Sequence, residues 1–96
     1  MTDFEICKRI AEIEGHLVIQ SSNGGKDFIF VPHVKVNYNP LTDKALCFDL
    51  VVKYKLSLIA PEGEQKDWDC VIRDVLTVHK SPSRAICLAI IEAHKE

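Results

Sequence analysis

Trp68-Asp69-Cys70-Val71-Ile72-Arg73-Asp74-Val75-Leu76-Thr77-Val78, followed after His79-Lys80 by Ser81-Pro82-Ser83-Arg84-Ala85-Ile86, is the stretch that decides the fold class. Its first part alternates in the manner of an extended chain. Trp68, Cys70, Ile72, Asp74, Leu76 and Val78 fall on one side, and Asp69, Val71, Arg73, Val75 and Thr77 on the other. Asp74 interrupts the apolar side, which predicts a bend or bulge near it; a short helix over Val71 to Leu76 is the alternative reading. The second part changes period. Ser81 can accept the first orphan amide of a helix, and Pro82 stands at the first helical position, where its missing N–H has no cost. Ile86, Ala89, Ile90 and Ala93 then form one stripe, widened by Cys87, Leu88 and Ile91. A stripe that wide implies burial against a sheet or partly against a second subunit.

The same reading extends toward the N-terminus. Thr2 followed by Glu5 is a capping box, with Met1 and Ile6 spaced for a hydrophobic staple. Ile6, Ile10 and Ile13 recur at helical spacing, and Gly15 suits the left-handed residue beyond the end, so the first helix is predicted over Asp3 to Glu14. Leu17-Val18-Ile19 and Phe28-Ile29-Phe30-Val31 flank Ser21-Ser22-Asn23-Gly24-Gly25. The Asn-Gly step predicts a hairpin, with Pro32 ending the pairing. Val34 to Tyr38 is expected to continue as a short extended segment until Asn39-Pro40 breaks it. Thr42 or Asp43 can cap a second helix through Leu46, Cys47, Leu50 and Val51 to about Lys53. Tyr54, Leu56 and Leu58 then alternate as a strand, and Pro61-Glu62-Gly63-Glu64 is a polar turn. The order helix, hairpin, helix, strand, strand, helix predicts an α+β fold in a single domain, residues 1–96. Three helices would surround a small, mainly antiparallel sheet, as an α/β/α-type sandwich.

Composition narrows the classes of function. The 96 residues are 47% hydrophobic and 27% charged, with a formal net charge of −2. That is globular rather than disordered, and a chain this short buries only about 60–65% of its unfolded surface. No apolar run nears the roughly 18 residues that span a bilayer. The acidic start Met1-Thr2-Asp3-Phe4-Glu5 lacks a signal-peptide layout, so a cytoplasmic product with no membrane contact is expected. Cys7, Cys47, Cys70 and Cys87 form no C-x-x-C pair and sit in apolar runs, which reads as buried reduced thiols. His16, His33, His79 and His94 are equally scattered, so neither metal nor cofactor is expected. Basic residues form no long stripe, which disfavours nucleic acid.

No catalytic motif emerges. Asn23-Gly24-Gly25-Lys26 lacks the spacing and following helix of a phosphate loop. Ser57, Ser81 and Ser83 have no triad partners that sequence can certify, and Asp67 with Asp69 reads as a solvated acidic face. Two places rise above this background. Lys80, Ser81, Ser83 and Arg84 surround the start of the last helix, where amides and basic side chains suit phosphate or carboxylate. The plainer reading is a capped helix with Arg84 paired to a surface acid. Asn37, Tyr38 and Asn39 precede the second helix and could hydrogen-bond or stack on a flat ligand, although turn and cap chemistry accounts for Asn39 and Asp43 equally. Trp68 could stack, but a lone tryptophan more often anchors a core or interface.

Three stretches also read together: Thr2 to Ala11, Asn37-Tyr38-Asn39-Pro40 through Asp43 to Lys53-Tyr54-Lys55-Leu56-Ser57-Leu58, and Ser81-Pro82-Ser83-Arg84-Ala85-Ile86-Cys87. In that order they resemble the NinX-like family of small phage proteins and, more loosely, the phage α/β/α sandwich domain. The resemblance implies a phage or prophage product acting in the bacterial cytoplasm, and it carries over no catalytic residue. The expectation is a non-enzymatic accessory protein, forming a homo-oligomer, that binds a host component. One version sequesters a small anionic, nucleotide-like ligand to counter host defence, with Lys80, Ser81, Ser83 and Arg84 on phosphate and Tyr38 or Trp68 stacking. The alternatives are an inhibitor docking on a host enzyme through the acidic segment Glu62 to Asp69, and a small nucleotide-processing hydrolase using His33, His79 and a carboxylate.

Overall fold

The computed structural model describes residues 2–23, 26–32 and 37–95. Among the described residues the secondary structure is α+β with three helices, as predicted, but the strands form two antiparallel sheets, of two and three strands, in place of the one expected. The chain divides into two compact units, Met1–Asn39 and Pro40–Glu96.

The first unit opens with α1, Asp3–Ile13. The capping box is formed: the Glu5 amide donates to the Thr2 hydroxyl at 3.2 Å, and Thr2 N–H donates to the Glu5 carboxylate at 3.2 Å. Met1, the other half of the expected staple, lies outside the described residues. At the far end Gly15 takes φ +77°, and the Gly15 and His16 amides donate to the carbonyls of Glu12 and Ala11. This paired closure satisfies carbonyls that a helix end leaves orphaned. The apolar face, Ile6, Cys7, Ile10 and Ala11, is buried, and α1 packs on the second strand of the hairpin.

That hairpin consists of β1, Ile19–Asn23, and β2, Lys26–Phe30, in antiparallel register from Ile19 opposite Phe30 to Asn23 opposite Lys26. Pairing is shifted toward the turn relative to the apolar runs. Leu17 and Val18 stay outside it, while the polar Ser21, Ser22 and Asn23 join the ladder, whose backbone hydrogen bonds require no apolar side chain. Asn23, expected in the turn, is therefore a strand residue, and Gly24 and Gly25 lie outside the described residues. So does most of the expected extended segment, residues 34–36. Its end is visible: the Tyr38 amide donates to Ile29 O at 2.7 Å beside β2.

The second unit begins with α2, Lys44–Tyr54, capped by the Asp43 carboxylate accepting from the Leu46 amide at 3.1 Å. The helix runs through Tyr54, which alternation had placed in the next strand. Lys55 ends it in the left-handed conformation (φ 54°, ψ 49°), and the Lys55 and Leu56 amides return to Val52 O and Val51 O. Two residues are thus consumed in reversing the chain, and β3 is only Ser57–Ile59. Next come β4, Trp68–Ile72, and β5, Val75–His79, in the sheet order β3-β4-β5. The last helix, α3, Pro82–Ala93, starts as predicted from Ser81 with Pro82 in the first turn. It packs on β4, β5 and α2, burying Ile86, Cys87, Ala89, Ile90 and Ile91.

The decisive departure lies between β4 and β5. The single long strand is instead a tight hairpin, with Ile72 opposite Val75 and only Arg73-Asp74 in the turn. Nor is there a helix over residues 71–76. Arg73 adopts φ +56°, the sense a two-residue hairpin turn demands. Residues opposite one another share a face, so a partner pair three apart in sequence reverses the parity of the alternation. Cys70 and Ile72 keep their place on the buried face, joined by Thr77, whose hydroxyl donates to Ala85 O of α3 at 2.7 Å. Leu76 and Val78, which alternation alone put beside Cys70 and Ile72, point the other way.

Candidate functional site

The outer face of the three-stranded sheet follows from that reversal. Its cross-strand rows are Ile59, Asp69 and Val78, and Ser57, Val71 and Leu76. Ile59 is 50% exposed, Leu76 60% and Val78 52%, so three large apolar side chains share one open surface. Single exposed apolar residues are ordinary on proteins, whereas neighbours on one face form a patch. Beside the patch lies a pocket of about 260 Å³ lined by Gln65, Lys66, Asp67, Asp69 and Val78. The β3–β4 connection that supplies it is acidic: Glu62, Glu64, Asp67 and Asp69 against Lys66 amount to a formal charge of −3 over residues 62–69. Asp69 stands between Ile59 and Val78, so charge and apolar area belong to one surface.

The start of α3 is organised differently. The Ser81 hydroxyl accepts from the Arg84 amide at 3.3 Å, the Ala85 amide donates to Ser81 O at 3.0 Å, and the Ser81 amide donates to His79 Nδ1 at 3.0 Å. Pro82 has no amide to offer, so much of this terminus is already committed to closing the helix. Ser83, in the first turn of the helix, is half-buried. Trp68 lies directly opposite His79, which brings the tryptophan to the same end of the sheet as Lys80, Ser81 and Arg84.

Asn37, Tyr38 and Asn39 stand in the first unit and Trp68, Lys80, Ser81, Ser83 and Arg84 in the second. Tyr38 is 1% exposed, and its ring meets His16 edge-on at 5.4 Å. It is a core residue, unavailable as a stacking platform. Asn39 Oδ1 accepts from the Cys7 thiol at 3.3 Å, and Asn37 is exposed. His33, required for the hydrolase reading, lies outside the described residues. Among the described residues no three His, Cys, Asp or Glu side chains are placed to hold a metal ion, and no helix is long and apolar enough to cross a membrane.

Ile59, Leu76 and Val78 were not singled out as site residues. The signal that would have found them is Arg73-Asp74: two polar residues between apolar runs make a turn, and a two-residue turn exposes what a continuous strand would bury.

Comparison with protein-family models, with curated proteins and with solved structures gives no significant match to this chain.

Proposed function

We propose that the protein is a non-enzymatic binding module that docks on another protein through the outer face of its three-stranded sheet. The observation that carries this reading is the exposed apolar patch of Ile59, Leu76 and Val78 beside the acidic residues 62–69. The fitting partner surface has an apolar centre edged by lysine or arginine. A second copy of this chain fits less well, because a symmetric contact would bring the acidic segments toward one another. Two strands about 17 Å long and one of about 10 Å, spaced about 4.8 Å apart, give a plan area of about 210 Å². A stable interface takes about 800 Å² from each partner, so the acidic connection must contribute, and binding should be salt-sensitive. The resemblance to small phage proteins supplies the setting: an accessory protein acting on a bacterial host component.

A second reading, capture of a small anionic ligand, is favoured by Trp68 standing opposite His79 in the strand register, next to Lys80 just before α3. One experiment separates the two. The immobilised protein is exposed to bacterial lysate, and wild type is compared with Asp67→Lys/Asp69→Lys, Leu76→Thr and Lys80→Ala/Arg84→Ala. Docking through the sheet face requires a partner held by wild type and by Lys80→Ala/Arg84→Ala but lost from the two face variants and at high salt. A partner that the face variants retain refutes it. A dimer in light scattering that Leu76→Thr abolishes makes the occupant a second copy. Small-molecule mass lost only with Lys80→Ala/Arg84→Ala transfers the function to the α3 start.

A further inference from the structure

The three-stranded sheet ends on two strands of different character. β3, at one edge, has three residues, and very short edge strands resist further pairing. β5, at the other, has five, and Val75-Leu76-Thr77-Val78-His79 contains no Lys, Arg, Asp, Glu or Pro to guard it. In a two-residue hairpin the residues flanking the turn exchange both hydrogen bonds. Ile72 with Val75, Cys70 with Thr77 and Trp68 with His79 are therefore the hydrogen-bonded pairs between β4 and β5. The N–H and C=O groups of Leu76 and Val78 consequently point away from β4, to the open edge. Among the described residues no strand lies on that side, and no backbone group beyond the hairpin bonds to β5.

We propose that the occupant of this edge is β5 of a second copy of the chain, paired antiparallel about a twofold axis at Thr77. Two three-stranded sheets then become one of six strands, in the order β3-β4-β5-β5-β4-β3. Hydrogen-bond parity and charge fix the register. Residues whose backbone groups point outward must face each other, which leaves registers centred on Leu76, Thr77 or Val78. Centring on Thr77 overlaps all five residues and sets Leu76 of each copy against Val78 of the other. It also sets Asp74, in the turn, against Lys80, just past the strand, once on each side of the axis. Both are exposed, and opposite charges directly across strands are favourable. Centring on Leu76 would put Asp74 opposite Val78, and centring on Val78 would put Lys80 opposite Leu76; in both the charges go unmatched.

The pairing does not depend on what the outer face binds, but it enlarges that face. Leu76 and Val78 of the two copies meet, and two plan areas of about 210 Å² become one of about 420 Å². The acidic connection enters β4 at Trp68, level with His79, and His79 is level with Val75 of the second copy. The two connections thus lie at opposite ends of the sheet, three strand spacings across and four residues along, about 20 Å apart. That is roughly twice the screening length at 0.1 M salt, so the repulsion that opposes face-to-face contact has little effect here.

The test is made on the purified chain. Light scattering should give twice 10.9 kDa at high concentration, falling toward 10.9 kDa on dilution. Hydrogen exchange resolved by residue should show the Leu76 and Val78 amides protected in the dimer and open on dilution, while Val75, Thr77 and His79, bonded to β4, do not change. Val78→Pro removes one outward amide and no bond to β4, so it should fold and be monomeric. Asp74→Lys and Lys80→Asp should each weaken the dimer by about 2- to 30-fold, as expected for two exposed ion pairs lost. Asp74→Lys/Lys80→Asp should restore wild-type association. Leu76→Thr keeps the edge amides and should remain dimeric; if it abolishes the dimer, the outer face holds the copies together and the proposal falls. It falls equally if wild type stays monomeric at the highest attainable concentration, if the dilution-sensitive amides are not those of Leu76 and Val78, or if the double swap associates no better than the single variants. Mass and exchange are both read on wild type, so a variant that fails to fold does not shield the proposal.

Discussion

Replacing Leu76 by threonine tests whether the outer sheet face is open. Threonine keeps the strand preference of a β-branched residue, so the change removes apolar surface without disfavouring the strand. Fully burying a leucine side chain is worth about 1.5–3 kcal/mol. Leu76 is 60% exposed, so two-fifths of that value, roughly 0.6–1.2 kcal/mol, is the most that it can contribute within the chain. Threonine retains part of this, and the expected loss is below about 1 kcal/mol. Ile90→Ala provides the scale, because Ile90 of α3 is completely buried and its truncation should cost about 2–5 kcal/mol. Urea titration of both variants, followed by circular dichroism, gives the two losses from the same slope, provided that slope does not change. If Leu76→Thr costs as much as Ile90→Ala, Leu76 is covered within the protein and the docking surface does not exist.

Two further outcomes follow from local backbone and charge. Arg73→Gly should stabilise the protein by roughly 0.5–1 kcal/mol, since relief of a left-handed residue exceeds glycine's entropic cost in a turn; a thermal midpoint lower than wild type contradicts the tight hairpin. Thr2→Ala should lower the midpoint at neutral pH by removing the α1 cap. The Thr2 amide, and then the Thr2 hydroxyl, hold the Glu5 carboxyl below its usual range. A carboxyl depressed on folding contributes stability above its unfolded pKa and loses it as pH falls through the folded value. The gap between wild type and Thr2→Ala should therefore narrow as pH drops below about 4, and a gap that stays constant down to pH 2 contradicts the assignment.

What could be read from the sequence was local chemistry. Thr2, Asp43 and Ser81 announce the three helix starts, because a hydroxyl or carboxylate next to an apolar-periodic run has one obvious amide to serve. Gly15 announces a left-handed end. Lys55 does not, although it performs the same reversal at the end of α2, because nothing in a lysine side chain advertises a positive φ; hence Tyr54 was assigned to the wrong element. Arg73 hides the β4–β5 turn in the same way. The hairpin matters most, since a missed two-residue turn leaves every later side chain of the strand on the wrong face.

The outer face is not explained by the needs of the fold. On the inner face the sheet accommodates even a hydroxyl, because Thr77 finds Ala85 O, and β4 and β5 pack on α3. Outward positions on an antiparallel sheet usually alternate to polar residues, and threonine there would satisfy strand propensity as well as leucine, isoleucine or valine does. The chain instead places Ile59, Leu76 and Val78 where they gain little from folding, and sets Asp69 among them. Apolar area that contributes little to stability raises the risk of aggregation, and the acidic connection beside it opposes contact with other copies of the chain. A surface that is adhesive at its centre and repels its own kind at its edge has a use only if something of opposite charge covers it.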